Sequence, residues 1–153
     1  MAVGNVTLYA ANIDDLRLQD LVGAPVRLAL LDADYIPSDG VAGHSLWADV
    51  SADELASAFG YVANGDTLEN IAVTGIAGGW KVSSDGAAWT ATGGPLPAWR
   101  WGVIYVDGVL WGKSKPLIGY FRGETTGDVP PTSEGNPLVI NSPAAGWFDF
   151  VRA

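Results

Sequence analysis

Apolar residues in this chain come in short runs broken by turn formers, not in long helical stripes. Pro25 opens the run Val26-Arg27-Leu28-Ala29-Leu30-Leu31, which is compact, bounded by turn formers and long enough for a buried strand. Strand-like segments then recur over residues 68–74, 80–83, 87–92, 98–106, 109–111, 117–121, 138–141 and 147–152. Between them sit Asn64-Gly65, Gly78-Gly79, Asp85-Gly86, Gly93-Gly94-Pro95, Asp107-Gly108, Pro130-Pro131 and Gly135. Short strands with turn chemistry between them predict an all-β protein with one or two short helices, an antiparallel β-sandwich or barrel. No internal repeat divides the chain, so residues 1–153 read as a single β domain with an N-terminal segment over 1–24 and a looser loop over 123–136.

Two short helices are expected beside the strands. Residues 12–21 carry Asp14 and Asp15 near a helix start and Gly23 past its end, although their apolar spacing is poor. Ser51-Ala52-Asp53-Glu54 has the form of a capping box, after which Leu55, Ala58 and Phe59 would share one side of a two-turn helix stopped by Gly60.

The sharpest local expectation is a hairpin at Asp107-Gly108, a dipeptide suited to the positive φ angles of a type I′ turn. Its register would set Val106 against Val109, Tyr105 against Leu110 and Ile104 against Trp111. One side then carries Ile104, Val106, Val109 and Trp111, and the other Trp99, Trp101, Val103, Tyr105 and Leu110. A ribbon that is apolar on both sides must be covered on both. The cover comes either from another chain or from the N-terminal segment and the last strand. The first alternative makes Trp99, Trp101, Ile104, Val106, Val109 and Trp111 candidate interface residues.

Composition agrees with the strand reading. Twenty Gly and nine Pro leave few windows for helices, while seven Trp, five Tyr and four Phe favour strands. At 153 residues the chain is one domain's worth and can bury about two-thirds of its surface. No cysteine is present, which removes disulfides, thiolate metal sites and cysteine nucleophiles. The formal charge of −9 is the wrong sign for gripping a phosphate backbone, so nucleic acid is not expected as a partner. No apolar run approaches the ~18 residues of a membrane span and the N-terminus has no basic region before an apolar stretch, so a soluble chain without a secretory signal is expected.

Candidate chemistry is sparse. The one histidine lies in Gly43-His44-Ser45-Leu46-Trp47, which begins like a nucleophile elbow but has Trp47 where the second glycine belongs. Asp32, Asp34 and Asp39 crowd oxygen ligands as a calcium loop does, without EF-hand spacing or a closing glutamate. Gly75-Ile76-Ala77-Gly78-Gly79 lacks the lysine and following helix of a phosphate loop. No catalytic, metal or cofactor residue is therefore expected. The tryptophans either stack on sugar rings or serve as core and interface residues.

Read in order, several segments resemble a group of small virion structural proteins of tailed bacteriophages. They are Val26 to Leu31 leading to Tyr35-Ile36-Pro37, Trp47-Ala48-Asp49-Val50 with Glu54, Gly60-Tyr61, Asn64-Gly65 with Leu68, Ala88-Trp89, Val103-Ile104-Tyr105 and Leu117-Ile118-Gly119-Tyr120. The likeness spans about residues 25–121, with a fainter echo toward the C-terminus; Trp99-Arg100-Trp101 departs from the group's pattern. The resemblance implies a non-enzymatic, mainly β particle protein, foremost a capsid decoration or cement protein on the outer head surface, synthesised in the host cytoplasm. Its implied partners are the major capsid protein and copies of itself, as a homo-oligomer such as a trimer, with no membrane and no cofactor. The alternative is a sugar- or receptor-binding module of the tail or adsorption apparatus.

Overall fold

Residues 6–153 are described in a computed structural model of the chain. Its centre is a five-stranded sheet in the order β1-β10-β7-β2-β3, antiparallel throughout. The strands are β1 (Thr7–Leu8), β2 (Val26–Leu31), β3 (Asp66–Thr67), β7 (Trp101–Val106) and β10 (Leu117–Arg122). Strand β2 has the expected bounds, and its pattern of consecutive apolar residues follows from its place beside β7, where both of its faces are buried.

A second layer covers one face. It consists of a two-stranded sheet, β6 (Ala87–Thr90) with β11 (Pro137–Ile140), and a three-stranded sheet in the order β12-β5-β4, from β4 (Ala72–Ile76), β5 (Gly79–Ser83) and β12 (Phe148–Val151). Leu28, Leu30, Ile104, Val106, Ile118 and Phe121 of the central sheet meet Val82, Ala87, Trp89, Leu138, Ile140 and Phe148 of this layer in one core. Ile118 and Phe121 face the same side although three residues apart, because a bulge shifts the β10 register between Leu117 and Gly119. The protein is thus a mainly β, single small domain with a sandwich-like core.

The opposite face of the central sheet is closed by the chain itself. Ala29, Leu31, Val103, Tyr105 and Leu117 pack there under Tyr9, Tyr35, Trp47 and Val50, which come from the N-terminal segment and the 32–50 loop. Trp47 is stacked on Tyr105, with ring centroids 4.2 Å apart and planes 8° from parallel. The expectation that both faces need cover is therefore met, and no second chain is required to supply it. Of the two cover elements expected from within the chain, the N-terminal segment takes part; the last strand instead packs in the other core.

Three local expectations are corrected. The Asp107-Gly108 hairpin does not form: neither residue has positive φ, and the Asp107 N–H donates to the Pro25 carbonyl at 2.8 Å. The Asp107 carboxylate is held by Arg27 at 3.0 Å and Lys115 at 3.1 Å, so the chain opens into a longer connection. The tight turn falls instead at Trp111-Gly112, with φ of 55° and 70°, joining β8 (Val109–Leu110) to β9 (Lys113–Ser114).

The 12–21 helix is reduced to a 3₁₀ turn at Ala10–Asn12 and the single turn α1 (Leu18–Leu21). Between them the buried Asn12 uses its amide to donate to the carbonyls of Ser45 and Leu117, both at 2.8 Å, and Asp15 pairs with Lys113. The capping box at Ser51 yields only the 3₁₀ turn Ser51–Asp53. Glu54 is already extended and bridges Leu31, the Leu55 N–H donates to the Leu30 carbonyl at 3.0 Å, and the Glu54 carboxylate reaches forward to Tyr61 and Asn64 rather than back to Ser51. The 123–136 loop is tied to the preceding segment by bridges from Val129 to Trp99 and from Thr132 to Leu96.

Candidate functional site

The six candidate interface residues are not brought together. Trp99, Ile104 and Val106 are at most 2% exposed, inside the sandwich core, with Trp99 edge-on to Phe121. These three side chains, expected at an interface, are taken up by the chain's own core. Trp101 is half-buried on the opposite face, edge-on to Tyr35 and Tyr120, with the Arg122 guanidinium 5.4 Å above its ring. Trp111 is half-buried and donates from Nε1 to Asp20 at 3.0 Å. Val109 alone projects into solvent, 76% exposed. The alternation read along the chain holds from Trp101 to Val106, but Trp99 and Leu110, both expected on the side of Trp101, Val103 and Tyr105, lie on the sandwich-core side with Ile104 and Val106, because Trp99 precedes β7 and the strand does not turn back on itself after Val106.

The polar groups around the second face hold the cover in place. Tyr9 and Tyr35 share a hydroxyl–hydroxyl hydrogen bond of 2.6 Å, and the Tyr120 hydroxyl donates to Asp39 at 2.7 Å. Burial raises all three phenols, Tyr35 and Tyr120 to about 12 and Tyr9 further, so each stays protonated and hydrogen-bonding at neutral pH. Tyr61 accepts the Leu30 N–H at 3.0 Å and donates to Glu54 at 2.8 Å; Glu54 also accepts the Asn64 N–H. Burial pushes the Glu54 carboxyl above its usual range, and burial likewise raises Tyr61 and Tyr105, whose hydroxyl donates to the Asn64 carbonyl.

The motifs with candidate chemistry are occupied structurally. Ser45 gives its backbone N–H to Asp49, as does Leu46, and these two donors hold the Asp49 carboxyl below its usual range. The His44 ring tilts against Tyr35 with centroids 5.8 Å apart. In the acidic loop, Asp32 accepts the Asp34 N–H while Asp39 turns away to Tyr120. No three His, Asp or Glu side chains gather in a metal-holding arrangement among the described residues.

The sequence marked 68–74, 80–83 and 147–152 as strands, which became β4, β5 and β12, but did not single out the exposed tip of the sheet they form. Val73, Gly75, Trp80, Val82, Phe148 and Phe150 share one of its faces by strand alternation. Val82 and Phe148 lie in the core, but the other end of that face overhangs it: Trp80 is 54% exposed, Phe150 38%, and Val151 at the same tip 52%. The Trp80 ring lies across Gly75, where a methyl group would come within 3.6 Å of it. Beneath it, Leu18, Gln19, Val73 and Trp80 line an open, mainly apolar groove of about 270 Å³. A run such as Gly79-Trp80-Lys81-Val82 gives no sign of which apolar residue is left outside, since that depends on how far the second layer extends past the first.

No known family model matches this chain, no curated protein is significantly similar to it, and no solved structure is significantly similar to it.

Proposed function

We propose that this chain is a non-enzymatic structural module of a tailed-phage particle, a capsid decoration protein that docks on the outer head surface. The particle assignment is supported by the sequence resemblance over about residues 25–121. The docking role is supported by one observation above the rest. The central sheet is sealed on both faces, yet Trp80, Phe150 and Val151 stand in the open at the tip of the outer sheet. Aromatic anchors at the dry centre of an interface carry a disproportionate share of binding energy, about 2 kcal/mol or more for the best placed. The hydrogen-bonded cover of the second face suits a module that must stay folded while it docks. The net charge of −9 favours the outer surface, since packed DNA repels an acidic domain.

Purified protein mixed with undecorated heads is expected to bind in fixed stoichiometry, and Trp80→Ala to weaken that binding by about 30-fold. Absence of binding to the head lattice overturns the assignment. The second reading, a sugar-binding module, is favoured by Trp80, the most exposed tryptophan and a flat surface suited to a sugar ring. A glycan array read with wild type and Trp80→Ala separates the two: glycan binding that disappears in the variant replaces the decoration reading.

A further inference from the structure

We infer that strand β4 is a self-pairing edge, through which two copies of this chain join their outer sheets antiparallel about a two-fold axis at Thr74. A sheet edge is a row of unpaired N–H and C=O groups, and proteins that must not pair blunt such rows with charge, proline, shortness or a side-chain cap. The other edges of comparable length among the described residues are blunted. Strand β11 opens with Pro137, β12 carries Asp149, and on β6 the Ala88 N–H is capped by the Asp66 carboxylate at 2.9 Å. Strand β4, Ala72-Val73-Thr74-Gly75-Ile76, has neither charge nor proline over five residues.

The geometry of the hairpin fixes which groups are free. Residues 76 and 79 are paired across a two-residue turn, so Ile76–Gly79, Thr74–Lys81 and Ala72–Ser83 are the hydrogen-bonded pairs, and the N–H and C=O of Val73 and Gly75 point away from β5. No backbone hydrogen bond outside the strand ladder reaches residues 72–76 from among the described residues.

A second copy satisfies these groups in one register. With Thr74 opposite its own symmetry mate, Val73 and Gly75 exchange hydrogen bonds with Gly75 and Val73 of the other copy, and Ala72 faces Ile76. Every facing pair is uncharged, which matters in a chain of net charge −9. On the inner face, Trp80 already lies across Gly75, and the incoming Val73 lands beside that ring, over the groove lined by Leu18, Gln19, Val73 and Trp80. Five residues make a short seam against the ~800 Å² per partner of a standard interface, so the pairing is weak and concentration-dependent.

This inference rests on the edge of β4 and not on the particle assignment, and its test needs no phage head. Sedimentation equilibrium of the full chain over a series reaching about 1 mM is expected to show monomer passing into dimer. Thr74→Glu and Thr74→Lys each place like charges face to face on the axis and are expected to weaken the dimer at least tenfold. The side chain of Thr74 is exposed, so neither variant enters the core; Lys81 lies opposite Thr74 within the hairpin, where it pairs with the glutamate and faces the lysine, so circular dichroism of both variants accompanies the sedimentation and the glutamate variant carries the test if the lysine variant loosens the hairpin. An equimolar mixture of the two variants is expected to recover a heterodimer. A wild type that stays monomeric, a dimer indifferent to either substitution, or a mixture that fails to associate overturns the proposal.

Discussion

Replacing Trp47 with alanine tests whether the 32–50 loop truly seals the second face of the central sheet. Trp47 is 5% exposed and stacked flat on Tyr105, and its N–H is bonded to the Lys115 carbonyl at 2.8 Å. The substitution keeps that backbone bond and deletes the indole. Burying such a side chain removes about 200 Å² from water, which at about 25 cal/mol/Å² stabilises by about 5 kcal/mol. The lost stacking adds about 1 kcal/mol, and collapse of a loop that is not itself a strand recovers part of the total, leaving about 3–5 kcal/mol. That is a large share of the ~5–15 kcal/mol by which a domain is stable. Urea unfolding followed by tryptophan fluorescence and circular dichroism is expected to show a lowered midpoint with little change in slope, and thermal unfolding a drop of about 10 °C. Val109→Ala, at a residue 76% exposed, serves as the control and should change stability by less than about 0.5 kcal/mol. A loss below about 1 kcal/mol for Trp47→Ala would mean that the loop merely rests on the sheet, and the case for a self-sealed second face would fail.

Three further outcomes follow from the same structure. Tyr61→Phe strands the buried Leu30 N–H and removes one donor from the half-buried Glu54, so a loss of about 2–4 kcal/mol in chemical denaturation is expected; a loss under about 0.5 kcal/mol refutes the network. Because the folded-state pKa of Glu54 is raised, its stabilising contribution is complete below the usual glutamate range and is lost as pH rises through the folded value. Glu54→Gln, which keeps an acceptor for Tyr61 and Asn64, should therefore gain on wild type as pH rises above the usual glutamate range, and a constant difference across that rise refutes the assignment. Asp49 has the opposite sign: its pKa is lowered, so its contribution is present above the usual aspartate range and disappears as pH falls through the folded value, and Asp49→Asn should flatten the acid limb of the stability profile.

Much of the central sheet was legible in the sequence because its strands are buried on both faces and therefore read as unbroken apolar runs. Strand β2 has its expected bounds, and β7 and β10 lie within a few residues of theirs. The turns were less legible. Asp107-Gly108 has ideal hairpin chemistry, but Arg27 and Lys115 compete for the same aspartate, and a tertiary ion pair overrides a local preference. The true type I′ turn places Trp111 at positive φ, a conformation that favours Asn or Gly and that no sequence rule assigns to tryptophan. The cover of the second face was hidden for another reason. Tyr35, Trp47 and Val50 are scattered through a stretch rich in Asp, Gly and Ser, and only the fold reveals that their side chains converge. Likewise, nothing in the alternation along β5 distinguishes the buried Val82 from the exposed Trp80.

The strand order carries a consequence for how the chain is made. Strand β1 is paired with β10, joining Thr7 to Tyr120, and β2 lies against β7, joining Val26 to Val106. At about 5–20 residues per second, a ribosome needs several seconds after releasing β2 to deliver the strand that completes it. Through that interval Leu28, Leu30 and Leu31 lack the strand that pairs along their whole length, with only Glu54, Leu55 and the two-residue β3 to meet them. Such long-range closure also slows folding into the millisecond-to-second range. The early apolar segment that must wait is only six residues long and carries Arg27 in its midst, which shortens and interrupts the apolar run exposed meanwhile.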